Sequence, residues 1–325
     1  MKHLLLRFVG VLASTVVVGL TTPWNTAAGA TQTAAAIHMP ALPDLNWALQ
    51  LPAEGKVIYR GVANFDSAGM QQSGMLYPAP NVIGLMVAVA VHAAVVKSGR
   101  DAQKEKIQAA ADKVLDPYRD VLADFNYREL MQHGLSLTTA GVPKQLVEAG
   151  EKHDGIWLVL STPIFSMTQD QSTIVLDNTI EIYAPGESKK AAYSNTVRVI
   201  SDAQTDPELA AFWTANQGKA LKGESARLLA TSLDIAFSDA STINGDLAYK
   251  TIRYMEGGAE RMERGQPLSE HCGRILLKSL RGSLMSVPVR RDSSMTPPAT
   301  DCAGTIDAVS ESHAEPKQSM TKGSE

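Results

Sequence analysis

Imidazoles, thiols and activated hydroxyls are the groups in this chain that could do chemistry, and their spacing decides which chemistry is open to them. Beyond residue 30 the histidines are His38, His92, His133, His153, His271 and His313. No two stand three or four residues apart, the helical spacing that presents two imidazoles to one metal, and neither HExxH nor CxxC occurs. No metal site and no cofactor is expected on that pattern. Gly223-Glu224-Ser225-Ala226-Arg227 starts like a nucleophile elbow but lacks the second glycine, and it lies in a helical pattern where no sharp turn would expose the hydroxyl. Ser319-Met320-Thr321-Lys322 has the spacing of a serine and lysine pair, in a polar tail with nothing to build an oxyanion hole. His271 and Cys272 are neighbours, but adjacent strand residues point to opposite faces, so adjacency makes no thiolate and imidazole pair. His153-Asp154 reads as a surface turn, and His92 as a core histidine bonded to a carbonyl. No catalytic residue is assigned.

The two cysteines acquire meaning from the start of the chain. Lys2, His3 and Arg7 precede an almost wholly apolar stretch, Phe8 to Leu20, then Pro23 and the small residues Ala28-Gly29-Ala30. This is the three-part pattern of a secretory signal, residues 1–30, with cleavage expected after Ala30 and a second option at Ala34-Ala35-Ala36. An uncleaved amino-terminal anchor is the alternative. No cysteine lies near the cleavage region to accept a lipid, so a periplasmic or secreted product is expected. In an oxidising compartment Cys272 and Cys302 are candidates for a bridge tying the tail to the body, worth roughly 3 to 4 kcal/mol of loop-closure entropy. Two separate thiols are the competing reading.

Composition narrows the class further. With 325 residues, 44% hydrophobic and 20% charged, the chain falls outside the collagen-like, wholly disordered and disulfide-dense classes. Thirty basic residues against 34 acidic ones provide no global positive field for nucleic acid. Loss of Lys2 and Arg7 with the signal would take the formal charge from -4 to -6.

The elements that would carry any site read as follows. Residues 31–46 form an extended leader. Trp47 to Leu51 and Lys56 to Ala63, around Glu54-Gly55, read as a hairpin. Val82 to Val96 has no polar side chain except His92. A helix apolar on every face must be buried in protein or lipid, and its length of about 22 Å falls short of a roughly 30 Å hydrocarbon core. A buried core helix is favoured, with membrane association through Val82 to Val96 or self-association as alternatives. Amphipathic helices follow from Asp101 to Leu115, before Pro117, and from Tyr118 to Gln132, with His133-Gly134 ending the second; a short helix runs from Pro143 to Ala149. Ile156 to Met167, Ser172 to Tyr183 and Tyr193 to Ile200 then form an antiparallel meander, with Pro163 marking an edge or bulge. Ile174, Leu176, Ile180 and Ile182 share one face, and Asp177 and Glu181 the other. Helices at Asp206 to Trp213 and Lys219 to Phe237 come next, the second carrying Leu221, Leu228, Leu229, Leu233, Ala236 and Phe237 on one stripe. Further strands are expected at Leu247 to Met255 and Arg274 to Val289. Between them, Gly257-Gly258 makes a turn and Glu260 to Arg264 a solvated face, with a partner-binding edge as the alternative.

The expected fold class is α+β: an antiparallel β-meander packed against several helices in a single domain, 47–290, followed by a disordered acidic tail, 291–325. Over residues 118 to 240 the order of helix, three-stranded meander and helix is similar in layout to periplasmic accessory proteins that assist envelope assembly. The expected role is an exported, non-catalytic binding or envelope accessory protein with an envelope protein as partner. A hydrolase assembled only in the fold, with His133, His153 or His271 as base, and a membrane-anchored component held by Val82 to Val96 are the alternatives.

Overall fold

The computed structural model describes residues 45–53, 55–64, 99–142, 144–151, 155–242 and 247–289. In chain order the elements are β1 (Trp47–Gln50), β2 (Ile58–Gly61), α1 (Gly99–Ala111), a 3-10 turn (Asp112–Tyr118), α2 (Arg119–Asp124), α3 (Tyr127–Leu137) and β3 (Lys144–Val147). They continue through β4 (Trp157–Met167), β5 (Ile174–Tyr183), β6 (Tyr193–Ile200), α4 (Leu209–Ser241), β7 (Lys250–Glu256), β8 (Ala259–His271), β9 (Arg274–Ser279) and β10 (Leu284–Pro288). The class is mixed α+β. The ten strands join in the order β3-β1-β4-β5-β6-β10-β9-β8-β7, with β2 added to β4.

The antiparallel meander is present as β4, β5 and β6, but the sheet as a whole is mixed. Strands β1 and β2 both run parallel to β4, at Trp157–Leu160 and Ile164–Met167, and β6 pairs in parallel with β10. The expected hairpin at residues 47–63 is therefore corrected. Its two strands run in the same direction along one edge of β4, and the chain between them detours outward, where Val57 donates its amide to the Phe125 carbonyl. Pro163, which lacks a donor, falls in the gap between these two pairings, and the Tyr127 hydroxyl reaches its carbonyl at 3.5 Å. The helix expected from Pro143 to Ala149 is corrected too: Lys144–Val147 forms β3, which lies parallel to β1. Its approach is set by Asp234 on α4, which accepts the Thr139 and Ala140 amides at 2.9 Å each, while Trp47 Nε1 donates to the Ala140 carbonyl.

Helix boundaries follow local chemistry. α1 gives way to a 3-10 turn before Pro117, because proline would clash with the carbonyl four residues back. Asn126 caps α3 by accepting the Glu129 amide, which splits the expected 118–132 helix in two. α3 then runs past His133-Gly134 to Leu137, since Gly134 lies flat against Leu229 of α4. α4 is broken at residues 215–218, where Asn216, Gln217 and Gly218 have positive φ. The break coincides with the expected boundary between two helices.

All six residues of the apolar stripe on α4 are buried, together with Ile174, Leu176, Ile180 and Ile182 of β5. Trp47 packs on Phe237 with ring centroids 4.7 Å apart, and Tyr59 stacks on Phe165. Inside this core Asn178 accepts from Ser161 Oγ at 2.8 Å and donates to Ser232 Oγ at 2.9 Å, so a buried amide ties β4, β5 and α4 together with its bonds made. Residues 1–44, where the signal and most of the leader are expected, Val82 to Val96 and the tail at 291–325 lie outside the described residues, while Leu45 at the end of the expected leader is buried in the core. Among the described residues no helix is long and apolar enough to cross a membrane.

Candidate functional site: a folded-over strand pair

β8 is shared between two partners. Its first half, Ala259 to Gly265, pairs with β7, and its second half, Gly265 to His271, pairs with β9, with a bulge between Pro267 and Ser269. Gly265 is the pivot, opposite Lys250 on one side and Ser279 on the other. The strand pair β7–β8 thereby turns back over the sheet, and β7 packs against β10, which is not its neighbour in the strand order. Ile252 and Tyr254 of β7 join Val175, Ile200, Leu277, Met285 and Val287 in a second apolar cluster, distinct from the main core. Alternation in β5 puts Val175 and Asp177 on the face opposite Leu176, so this cluster closes the side of the sheet turned away from the helix layer.

Beneath the pair lies an ion network. Arg198 on β6 donates Nε and Nη2 to the two oxygens of Asp177 on β5, both at 2.8 Å. Burial opposes the guanidinium's charge, but Asp177 and Glu256 outweigh it and hold Arg198 above the ordinary arginine range. The inward face of β8 contributes Arg261, 3.6 Å from Glu256, and Glu263, whose carboxyl burial raises against the pull of Arg198 and Arg281. Burial likewise pushes Tyr254 up to about 12. Opposite charges face one another in this network, the arrangement that makes a buried pair tolerable.

The tip is latched. In the β4–β5 turn Asp170 accepts from Thr168 Oγ1 at 2.6 Å, from the Ser172 amide at 3.1 Å and, across the molecule, from the Gly258 amide at 2.6 Å. Gly257 has φ +61, and a Cβ there would stand 2.8 Å from both Asp170 oxygens. The same turn anchors two other elements: Gln169 donates to the Val62 and Ala111 carbonyls, and the Gln171 carbonyl accepts from Trp213 Nε1 at 2.7 Å. A four-residue polar run thus organises one end of the sheet. Burial raises the Asp170 carboxyl, but the Thr168 hydroxyl and the Ser172 and Gly258 amides hold it below the usual range. Its stabilising effect is complete above the ordinary aspartate value of about 3.9 and fades as pH falls from there through the lower folded value. Asp170→Asn should flatten that part of the stability profile and cost about 1 to 2 kcal/mol at neutral pH, measured as a urea midpoint shift at several pH values.

Among the described residues, those singled out by the sequence do not converge. Ser225 is buried within α4, donating to the Leu221 carbonyl and meeting the Tyr59 hydroxyl, so it is a packing serine. His133 on α3 and His271 at the end of β8 are both exposed. Cys272 follows at φ +51 in the β8–β9 turn. Cys302, Ala30, His38, His92, His153, His313 and Ser319 to Lys322 lie outside the described residues. Among the described residues no three His, Cys, Asp or Glu side chains group as metal ligands. The run at 256–264 is corrected in part: Gly257-Gly258 is a turn, but it joins two strands, and Arg261 and Glu263 face inward while Glu260, Met262 and Arg264 face out.

What this arrangement offers is a strand edge. β7 ends the strand order, and among the described residues only β8 pairs with it. Comparison of the chain with protein-family models, with curated proteins and with solved structures gave no match.

Proposed function

We propose that this chain is an exported, non-catalytic binding or envelope accessory protein that makes its contact through β7. The observation that supports this reading is the placement of β7: a seven-residue strand at the end of the order, held rigidly by the second apolar cluster and by the Asp170 latch. A fixed edge strand presents its backbone N–H and C=O groups in register, and adding a strand there is a general mode of protein recognition. The leading segment with its cleavage site at Ala30 supports export.

A photo-reactive amino acid at Thr251, on the outward face of β7, tests the reading in intact cells. The expected result is a reproducible adduct in the periplasmic fraction, lost when Arg253→Pro is added, on a protein whose mass begins at Thr31. Intact chain in the cytosol with no adduct would reject the proposal. The same mass measurement, before and after reduction and alkylation, reports whether Cys272 and Cys302 are bridged: about 2 Da is gained on reduction if they are.

A further inference from the structure

We infer that residues 82–96 of this same chain dock on the part of the sheet that lies beside β7–β8, on the side turned away from the helices; this does not depend on the edge-binding reading above. β4 is an interior strand that is apolar along most of Trp157–Met167, the pattern of a strand covered on both sides. The helix layer covers one side, through Trp157, Val159 and Phe165. On the other side Leu158 and Ile164 stand in register with Ala48 of β1 and Ile58 of β2, and Leu160 and Val147 of β3 share that face. Ala48 and Val147 are buried and the other four half-buried, yet none of the six belongs to either apolar cluster. The folded-over pair closes this side only over β5, β6, β9 and β10.

Length, connection and polarity select the occupant. The apolar face runs from Leu158 to Ile164, about 20 Å along β4, and fifteen helical residues would extend about 22 Å. Outside the described residues, no other stretch beyond residue 30 has a comparable apolar run. Both connections start at β2, the strand next to Ile164. The described chain leaves at Asn64, just after Val62, which packs against the second cluster and so lies on this same side of the sheet. It resumes at Gly99 in α1, whose Gln108 donates to the Gly61 carbonyl at 2.9 Å. The seventeen residues 65–81 can span about 55 Å, enough to reach any point of the face. The one polar side chain of the segment, His92, also finds a counterpart there. Glu181 of β5 is 9% exposed and accepts from the Tyr183 hydroxyl at 2.8 Å, which leaves acceptor positions for an imidazole N–H.

A diazirine analogue of leucine at position 160 of the full exported chain tests this. After irradiation, the tryptic peptide 153–189 should be joined to the peptide 61–97 within one chain, with fragment ions placing the bond inside residues 82–96. Thermolysin, which cuts beside apolar residues, should cleave within 82–96 at least about 100-fold more slowly in the folded chain than in a synthetic peptide of that sequence. Leu158→Ser with Leu160→Ser should raise the rate at least about tenfold while urea unfolding stays cooperative. If that variant fails to fold, the adduct and the wild-type cleavage rate decide. An adduct between two chains, with another protein or with solvent alone overturns the inference, as does cleavage at the rate of the free peptide. Flotation of the chain with phosphatidylglycerol vesicles would overturn it in favour of a lipid surface. The adduct at Thr251 is read separately, so the edge-binding proposal and this inference fail independently.

Discussion

Asp177→Ala should destabilise the protein by about 3 to 5 kcal/mol, because it leaves the Arg198 guanidinium buried without its bidentate partner. The Arg198 and Asp177 side chains are 16% and 26% exposed, so solvent replaces the lost bonds only in part. Glu256 and Glu263 lie near enough to sense the arginine, but Glu256 is engaged by Arg261 and Glu263 is held by its surroundings towards the neutral form. Urea denaturation gives the readout, as a fall in midpoint with the slope unchanged. The replacement Asp177→Leu with Arg198→Met should recover most of the loss, since two apolar side chains of similar volume require no compensation in a site already lined by the second apolar cluster. A loss of under about 1 kcal/mol for the single substitution would mean that the pair is effectively solvated. The β7–β8 pair would then not seal that face of the sheet.

The second large effect is expected at the pivot. Gly265→Val places a Cβ 2.6 Å from the Lys278 carbonyl oxygen and 2.7 Å from Leu277 Cδ1. The first of these atoms is backbone in the paired strand and cannot move without breaking the β8–β9 ladder. A cost of about 3 kcal/mol is expected, although valine is the better strand former and intrinsic propensity alone predicts a gain. The damage should also be local. Amide hydrogen exchange should accelerate through β7 and the first half of β8 and through the Gly258 amide on Asp170, while α3 and α4 retain their protection. Uniform acceleration across the molecule would show that the folded-over pair and the main body unfold as one unit, and the pivot would lose its special role.

These two sites differ in how far the sequence foretells them. Asp177 is assigned correctly to the face opposite Leu176, because a strand alternates with period two and apolar neighbours identify the core side. The same rule leaves open what lies over Asp177 on that other face. What covers it arrives some seventy residues later along the chain, from β7 and β8, and no local pattern carries that information. The charge run Glu260 to Arg264 reads as a solvated face for the same reason: alternating charges fit exposure, and equally fit a strand with one face on a buried ion network. Gly265 carries no local signal of its own, and its role follows only from its two partners, Lys250 and Ser279.

Local signals that depend on a few adjacent residues were read well. Asp170 falls in the expected turn, Gly257-Gly258 makes a reversal, and the break in α4 at residues 215–218 lies where two helices were expected to separate. The errors lie where a local signal admits two tertiary outcomes. Glu54-Gly55 marks a departure from extended structure, and only the unpaired edge of β4 decides that the chain resumes in the same direction instead of reversing. Lys144 to Val147 has a pattern open to helix or strand, and the free side of β1 selects strand because its backbone groups need partners.

By itself, the sequence determined the mixed class, the meander, the apolar stripe of α4 and the absence of any catalytic or metal-binding motif, since each rests on periodicity or spacing within a short window. Tertiary structure alone decided the parallel additions to β4 and β6, the turning back of β7–β8, the burial of Asp177 with Arg198 and the latch at Asp170. Those features join residues dozens of positions apart, and their energy comes from desolvation and hydrogen bonds that exist only once the distant partners meet.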